Sequence, residues 1–189
     1  MTSQAVEHIR WSVQDIDALP QNEWITYEII DGELFVTRSP HRKHQQVAGR
    51  IYRALDARAQ ETGSGEAIFA PGIVLSDADN IIPEVVWVSH EKIGVIEDEA
   101  GHLTAIPELV VEALSPGIQN IRRDREAKLK LYSIQGAQEY WIIDRFTKQI
   151  EIYRREQARL TLVMTLGIED TLKSPLLPGF DFEISQIFS

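Results

Sequence analysis

Hydrophobic and polar positions change period several times along this chain, and each change marks a structural element. Residues 26–37 alternate on either side of Asp31-Gly32, a dipeptide suited to a tight turn, so TYEII and ELFVT are predicted to form a hairpin. Ahead of it, residues 1–23 read as a tail with a short amphipathic turn opening at Ser12. From about His41 to Thr62 the apolar positions Val47, Ala48, Ile51 and Leu55 recur at helical spacing, and Gly63 and Gly65 end that helix. Three β-rich runs follow. EAIFA and GIVLS are broken at Pro71-Gly72, and IIPEVVWVS is apolar enough to predict a strand covered on both faces.

Residues 90–107 read as a polar, irregular connection, after which Pro107 introduces ELVVEALS, closed by Ser115-Pro116-Gly117. A second helix is predicted over about 121–135, stopped at Gly136. EYWIID and KQIEIYRR make a strand pair across a short turn, and LTLVMTLG makes another strand. Beyond Leu172 the chain, with Pro175, Pro178 and Gly179, is predicted to pack irregularly along the domain. The pattern holds no repeat or linker. Strands interleaved with two sizeable helices predict one α/β domain over residues 1–189, a mixed β-sheet flanked by helices with an N-terminal β-hairpin.

Composition narrows the chemistry. No apolar run approaches the roughly 20 residues of a membrane span, and MTSQAVEHIRW lacks the basic start and apolar stretch of a signal peptide, so a cytoplasmic location is expected. The absence of cysteine excludes disulfides and thiolate metal sites. A bound metal must then be held by carboxylates, histidines, carbonyls and water, which favours Mg²⁺ or Mn²⁺. The formal net charge of −10 argues against tight non-specific binding to a phosphate backbone. Two locally basic stretches remain, one of Arg38, His41, Arg42, Lys43 and Arg50 and one of Arg122, Arg123 and Arg125; each such cluster is more often just a solvated helix start.

Three ionisable residues sit in apolar surroundings. Glu112 interrupts LVVEAL, on the same face as Val110 and Leu114 and near the C-terminal end of a buried strand. A lone buried carboxylate is costly, and open α/β sheets build their sites at that end. Glu84 follows Pro83 at the start of an apolar strand, on the face of Val86 and Val88. Two such carboxylates are most simply reconciled by a divalent cation between them. On an ideal helix with Leu131 as origin, Ala127, Ile134, Tyr132 and Asp124 fall within roughly 100°, and Lys128 falls at about 60°, inside that mostly apolar arc. Lys130 falls at about 260°, beside Glu126 and Arg123, as a surface Glu-to-Lys pair would. Lys128 is therefore predicted to face the sheet, where an ammonium near two carboxylates stays charged.

At these residues the chain resembles a known family. The order Pro83-Glu84, Glu112 in EALSP, Asp124-Arg-Glu-Ala-Lys128-Leu-Lys-Leu-Tyr132 and GAQEYWIID ending at Asp144 is similar to the Uma-type family of putative restriction endonucleases, a branch of the PD-(D/E)XK nuclease superfamily. The resemblance runs from about Thr26 to Tyr153 and includes YEIIDGEL, TRSP ending at Pro40, His44 and FAPGIVL. It implies a restriction-endonuclease-like fold and hydrolysis of DNA phosphodiester bonds. Pro83-Glu84 then takes the place of the motif's Pro-Asp, Glu112 its second acid, and Lys128 its lysine, displaced from the strand to the following helix. Mg²⁺ or Mn²⁺ would be held by Glu84, Glu112 and the Ala113 carbonyl, and a homodimer is implied. Two departures stand out: Glu84 is one methylene longer than the usual Asp, and Leu114 occupies the position of the superfamily's usual lysine.

Glu28 and His44 belong to the same shared pattern. His44 lies on the apolar face with Val47, Ala48 and Ile51, where positioning a water, contacting phosphate and simply satisfying a backbone group are all open. Glu28, in the hairpin, would support the metal or His44. His90 and His102 read as surface residues, Tyr140 and Trp141 as core. Two other readings compete with the nuclease. One is a catalytically weak or inactive nucleic-acid-binding or assembly module in which Glu84 spoils metal binding; the other is a metal-dependent hydrolase of a different substrate.

Overall fold

The computed structural model describes residues 9–38 and 41–189, so residues 1–8 of the expected tail and Ser39-Pro40 of the shared pattern lie outside the described residues. A short helix, α1 (Val13–Ile16), opens after Ser12. Strands β1 (Ile25–Ile30) and β2 (Glu33–Arg38) pair antiparallel with Ile30 opposite Glu33. That register leaves Asp31 and Gly32 to reverse the chain, and both take positive φ, 51° and 76°. Such turns follow the natural twist of paired strands. The long helix α2 (Arg42–Thr62) buries Val47, Ala48, Ile51 and Leu55 and ends at a left-handed Gly63.

Strands β3 (Gly65–Phe69), β4 (Ile73–Ser76), β5 (Asp79–Ile81) and β6 (Val85–Ser89) follow. IIPEVVWVS is therefore not one strand. Pro83 cannot donate to a ladder, and the chain uses the break to leave one sheet for another. The stretch after β6 is not wholly irregular either: α3 (His90–Ile96) starts at Ser89, whose hydroxyl accepts from the Lys92 N–H at 3.3 Å. Next come β7 (Leu109–Ala113), then α4 (Ile118–Arg122), a π turn (Arg123–Lys128) and α5 (Leu129–Gln135) as one continuous helical stretch. Strands β8 (Glu139–Asp144), β9 (Gln149–Glu156) and β10 (Arg159–Leu166) complete the main sheet. The C-terminal segment is more regular than expected, with β11 (Thr171–Lys173) paired to β12 (Asp181–Glu183) and a closing helix α6 (Ser185–Phe188).

The main sheet has the order β10-β9-β8-β7-β6-β3 and is mixed, with β7 and β8 parallel and the remaining pairs antiparallel. The hairpin β1–β2 does not stand alone; it joins β5 and β4 in a second sheet of order β2-β1-β5-β4. Alternation along the main strands feeds two cores. Val85, Trp87, Val111, Trp141 and Ile143 pack with α2 and with Leu177, Phe180 and Ile187 of the C-terminal segment. Val86, Val88, Val110, Leu114 and Ile142 pack with Leu131 and Tyr132 of α5 and with Ile30, Ile73 and Ile81 of the second sheet. Strand β7 is buried along its whole length. Glu112 points into the second of these cores.

Gly65 shows how closely the edge strand β3 lies against β6. A Cβ there would collide with the Val88 carbonyl and the Trp87 ring. Gly65→Ala is expected to destabilise the protein by about 2–3 kcal/mol, the usual cost of overpacking, as a drop in the urea midpoint with an unchanged slope.

Candidate active site

Four segments converge at the end of β7 that carries Ala113. β7 supplies Glu112 and the Ala113 carbonyl, β1 supplies Glu28, the break before β6 supplies Glu84, and the π turn supplies Arg123, Asp124 and Lys128. The first turn of α2 adds His44.

Lys128 lies at the centre. It is 1% exposed, and its Nζ donates to Glu112 Oε1 at 2.7 Å and pairs with Glu28 Oε1 at 2.8 Å. Burial alone would favour the neutral amine, but Glu112 and Glu28 overcome it and push the pKa above that of a free lysine. The side chain is a fixed cation. Lys130, two residues on, is 69% exposed and reaches only toward Asp31 at 3.8 Å. The surface pair expected between Glu126 and Lys130 is replaced by one between Arg122 and Glu126 at 2.8 Å.

Glu112 is 2% exposed, and Oε1 takes both Lys128 and the Tyr132 hydroxyl, the latter at 2.8 Å. Burial is the largest influence on its carboxyl and raises the pKa to about 8; Asp124, Glu28 and Glu84 add to the rise against the opposing pull of Lys128. Glu84, just outside β6, keeps 24% of its side chain exposed. Desolvation nonetheless lifts its pKa to about 7, with Glu28 and Asp124 contributing in the same direction. Glu28 behaves differently. Burial pushes it up, but Lys128, Arg123 and the Ile82 N–H, which donates to Oε1 at 2.9 Å, leave it below its ordinary value.

His44 is buried, and its Nε2 lies 2.8 Å from the Ala113 carbonyl and 3.3 Å from Glu84 Oε1. A carbonyl only accepts, so Nε2 carries the proton and Nδ1 is left as an acceptor without a partner. Desolvation lowers the His44 pKa, which keeps the ring neutral near pH 7. The imidazole thus ties Ala113 to Glu84.

The sequence pattern placed Arg123 on the solvent face, and the π turn corrects that. Its i→i+5 bonding winds the chain less per residue than an α-helix, so positions before Lys128 depart from the ideal arc. Arg123 is buried, bonding Asp124 Oδ1 at 2.8 Å and Glu28 Oε2 at 3.3 Å. Asp124 is fully buried, and its Oδ2 has no partner among the described residues. Ile134, expected in the buried arc, is 69% exposed near the helix end. Arg123 escaped notice because nothing in DREAK announces a π turn; Tyr132 was within the expected arc, but its bond to Glu112 was not foreseen.

The charges do not balance. Glu28, Glu84, Glu112 and Asp124, if all ionised, pair among the described residues with two fixed cations, Arg123 and Lys128, while His44 is neutral. Burial first, and the neighbouring carboxylates after it, hold Glu84 and Glu112 partly protonated near neutral pH. A divalent cation would remove the surplus of negative charge. Among the described residues no three Asp, Glu or His side chains converge closely enough to hold a metal alone. Any cation here would need a backbone or water donor besides the carboxylates, and hard oxygen donors suit Mg²⁺ or Mn²⁺.

The profile of the family described as Uma2, putative restriction endonuclease, matches residues 13–185. No curated protein sequence matches significantly. Among solved structures, the chain is similar to a putative nuclease belonging to DUF820 from Anabaena variabilis, with a TM-score of 0.72 and 16% identity over 94% of this chain and 97% of that one. At that identity the likeness concerns the fold.

Proposed function

Because this chain belongs to the Uma2 family of putative restriction endonucleases, we propose that it is a metal-dependent endonuclease hydrolysing DNA phosphodiester bonds, with Glu84, Glu112 and Lys128 as its catalytic residues. The observation that carries this reading is the surplus of buried negative charge around one fixed ammonium.

Glu84, Glu112 and the Ala113 carbonyl would hold Mg²⁺ or Mn²⁺. When bound, such an ion polarises a phosphate and acidifies a water. His44 holds the Ala113 carbonyl and Glu84 in register, as groups behind a ligand set commonly do. Lys128 stays protonated, so it is a donor and a fixed positive charge for the transition state and not a base. Glu28 and Tyr132 fix its position and that of Glu112. A homodimer would present two such sites to two strands.

Plasmid and single-stranded DNA incubated with Mn²⁺, against controls in EDTA, test the reading. Metal-dependent cleavage by the wild type and at least a 100-fold slower rate for Glu112→Ala are expected, in line with loss of an electrostatic catalytic group. Equal cleavage by both proteins would end the assignment. Calorimetry with Mn²⁺ addresses the inactive-module reading, which requires that no carboxylate-dependent binding be seen.

A further inference from the structure

The rim beside this site carries a cation that the protein itself does not use. β8 runs parallel to β7 with Ile143 opposite Ala113, and the Leu114 N–H donates to the Ile143 carbonyl at 2.9 Å. The chain therefore leaves β8 at the same edge of the sheet that carries Glu112 and Ala113. Asp144 fixes the turn that follows, its Oδ1 accepting from the N–H groups of Phe146 at 2.8 Å and Thr147 at 3.3 Å. Arg145 and Phe146 are thus held in place on a tight turn.

The other arginines of this region are committed. Arg123 holds Glu28 and Asp124, Arg125 holds Glu151 at 2.6 Å and Asp144 at 3.7 Å, and Arg154 holds Glu139 at 2.6 Å. Arg155 bonds the carbonyls of Ala137 and Ser133. Arg145 differs. Among the described residues no carboxylate pairs with it, and its buried Nε has no partner. Its guanidinium lies 4.0 Å from the centre of the Phe146 ring, and that ring is 54% exposed. Arg145 follows Ile143 by two residues, and Ile143 lies opposite Ala113, so the turn stands at the Ala113 end of the sheet.

We propose that Arg145 and Phe146 form a nucleotide subsite next to the reacting phosphate, the guanidinium taking a backbone phosphate and the exposed part of the phenyl ring stacking on a base. The idea rests on the nuclease reading of the neighbouring carboxylates and extends it to the form of the substrate. A base can stack on Phe146 only when it is out of a duplex, so the strand entering here is single-stranded or locally opened. An unpaired arginine stacked on an aromatic ring supplies both contacts such a strand needs, a charge for the backbone and a flat apolar face for the base. On a chain of net charge −10, one uncommitted cation at the rim also concentrates what little phosphate attraction the surface offers.

Fluorescence anisotropy with a labelled oligo-dT strand and with a duplex of equal length, both in EDTA, tests the subsite without any cleavage. The wild type should bind the single strand more tightly than the duplex. Phe146→Ala should weaken single-strand binding roughly 5- to 100-fold, as loss of one base stack does, with an unchanged salt slope. Arg145→Ala should weaken it and reduce the salt slope by about 0.7, the value for one lost phosphate contact on a single strand. Arg145→Lys should keep the slope and lose part of the affinity. Both positions lie on a surface turn, and unchanged circular dichroism verifies folding. Equal binding of strand and duplex, or variants within twofold of wild type, overturns the subsite, as does a wild type that binds neither probe. Because no metal is present, absence of cleavage in the plasmid assay counts against the nuclease reading alone.

Discussion

Lys128→Met is expected to leave less than one-hundredth of the wild-type cleavage rate and to lower the melting temperature by roughly 6–20 °C. The two effects share an origin. The ammonium neutralises Glu112 and Glu28 inside a site where none of the three is more than 3% exposed. Removing one partner of a buried pair costs about 3–5 kcal/mol, because the remaining charge is stranded. For a domain of this size each kcal/mol corresponds to roughly 2–4 °C. Methionine keeps the length and apolar character of the lysine stem, so the loss reports charge and not volume. A double variant distinguishes the causes. Adding Glu28→Gln to Lys128→Met removes the carboxylate that Lys128 leaves stranded and should recover part of the lost stability, while activity stays absent. A double variant no more stable than the single one would show that the pairing is not what holds this region together.

Mn²⁺ affinity should climb steeply with pH, by at least tenfold between pH 6 and pH 8, and binding should release protons. Glu84 at about 7 and Glu112 at about 8 must both ionise to act as ligands, and burial is the main reason that neither is fully ionised at neutral pH. Titration in buffers of different ionisation enthalpy measures the release, which should approach two protons near pH 6 and shrink toward zero above pH 9. Stability without metal carries the opposite sign. A carboxyl raised in the folded state binds protons more tightly there than in the unfolded chain, so its contribution is complete below the ordinary value of 4.5 and is lost as pH rises through 7 and 8. Glu28, lowered in the fold, works the other way but over a lower and separate range. The metal-free protein should therefore melt at a lower temperature at pH 9 than at pH 6, and saturating Mn²⁺ should remove most of that difference. A melting temperature that stays level from pH 6 to pH 9 without metal would mean that the carboxyls are already ionised.

Much of this arrangement was legible in the sequence because period alone decides which way a side chain points. Alternation put Glu112 with Val110 and Leu114, and helical spacing separated a buried Lys128 from an exposed Lys130. The hairpin turn followed from two residues that tolerate positive φ. What escaped was set by tertiary context. The π turn brought Arg123 inside and cannot be read from RDREAK, whose residues suit an ordinary helix. Helix α3 was hidden by Gly94 and its polar start, and the β11–β12 pair by prolines that mark turns rather than disorder of the segment. Arg145 carried no sequence signal, since an arginine after a strand is usually a solvated turn residue; having no carboxylate partner among the described residues separates it from Arg123, Arg125 and Arg154.

The ion pair between Glu28 and Lys128 joins positions on opposite sides of the main sheet's chain order, with β3, β6 and β7 formed between them. A contact of such sequence separation carries the entropic cost of closing the intervening chain. Glu28 also bonds the Ile82 N–H, and Lys128 bonds Glu112, so hairpin, inter-sheet crossing, central strand and helix must all be docked before the charges meet. A half-folded chain thus carries the individual residues but not the cluster, and the site exists only where hairpin, crossing, central strand and helix are docked together.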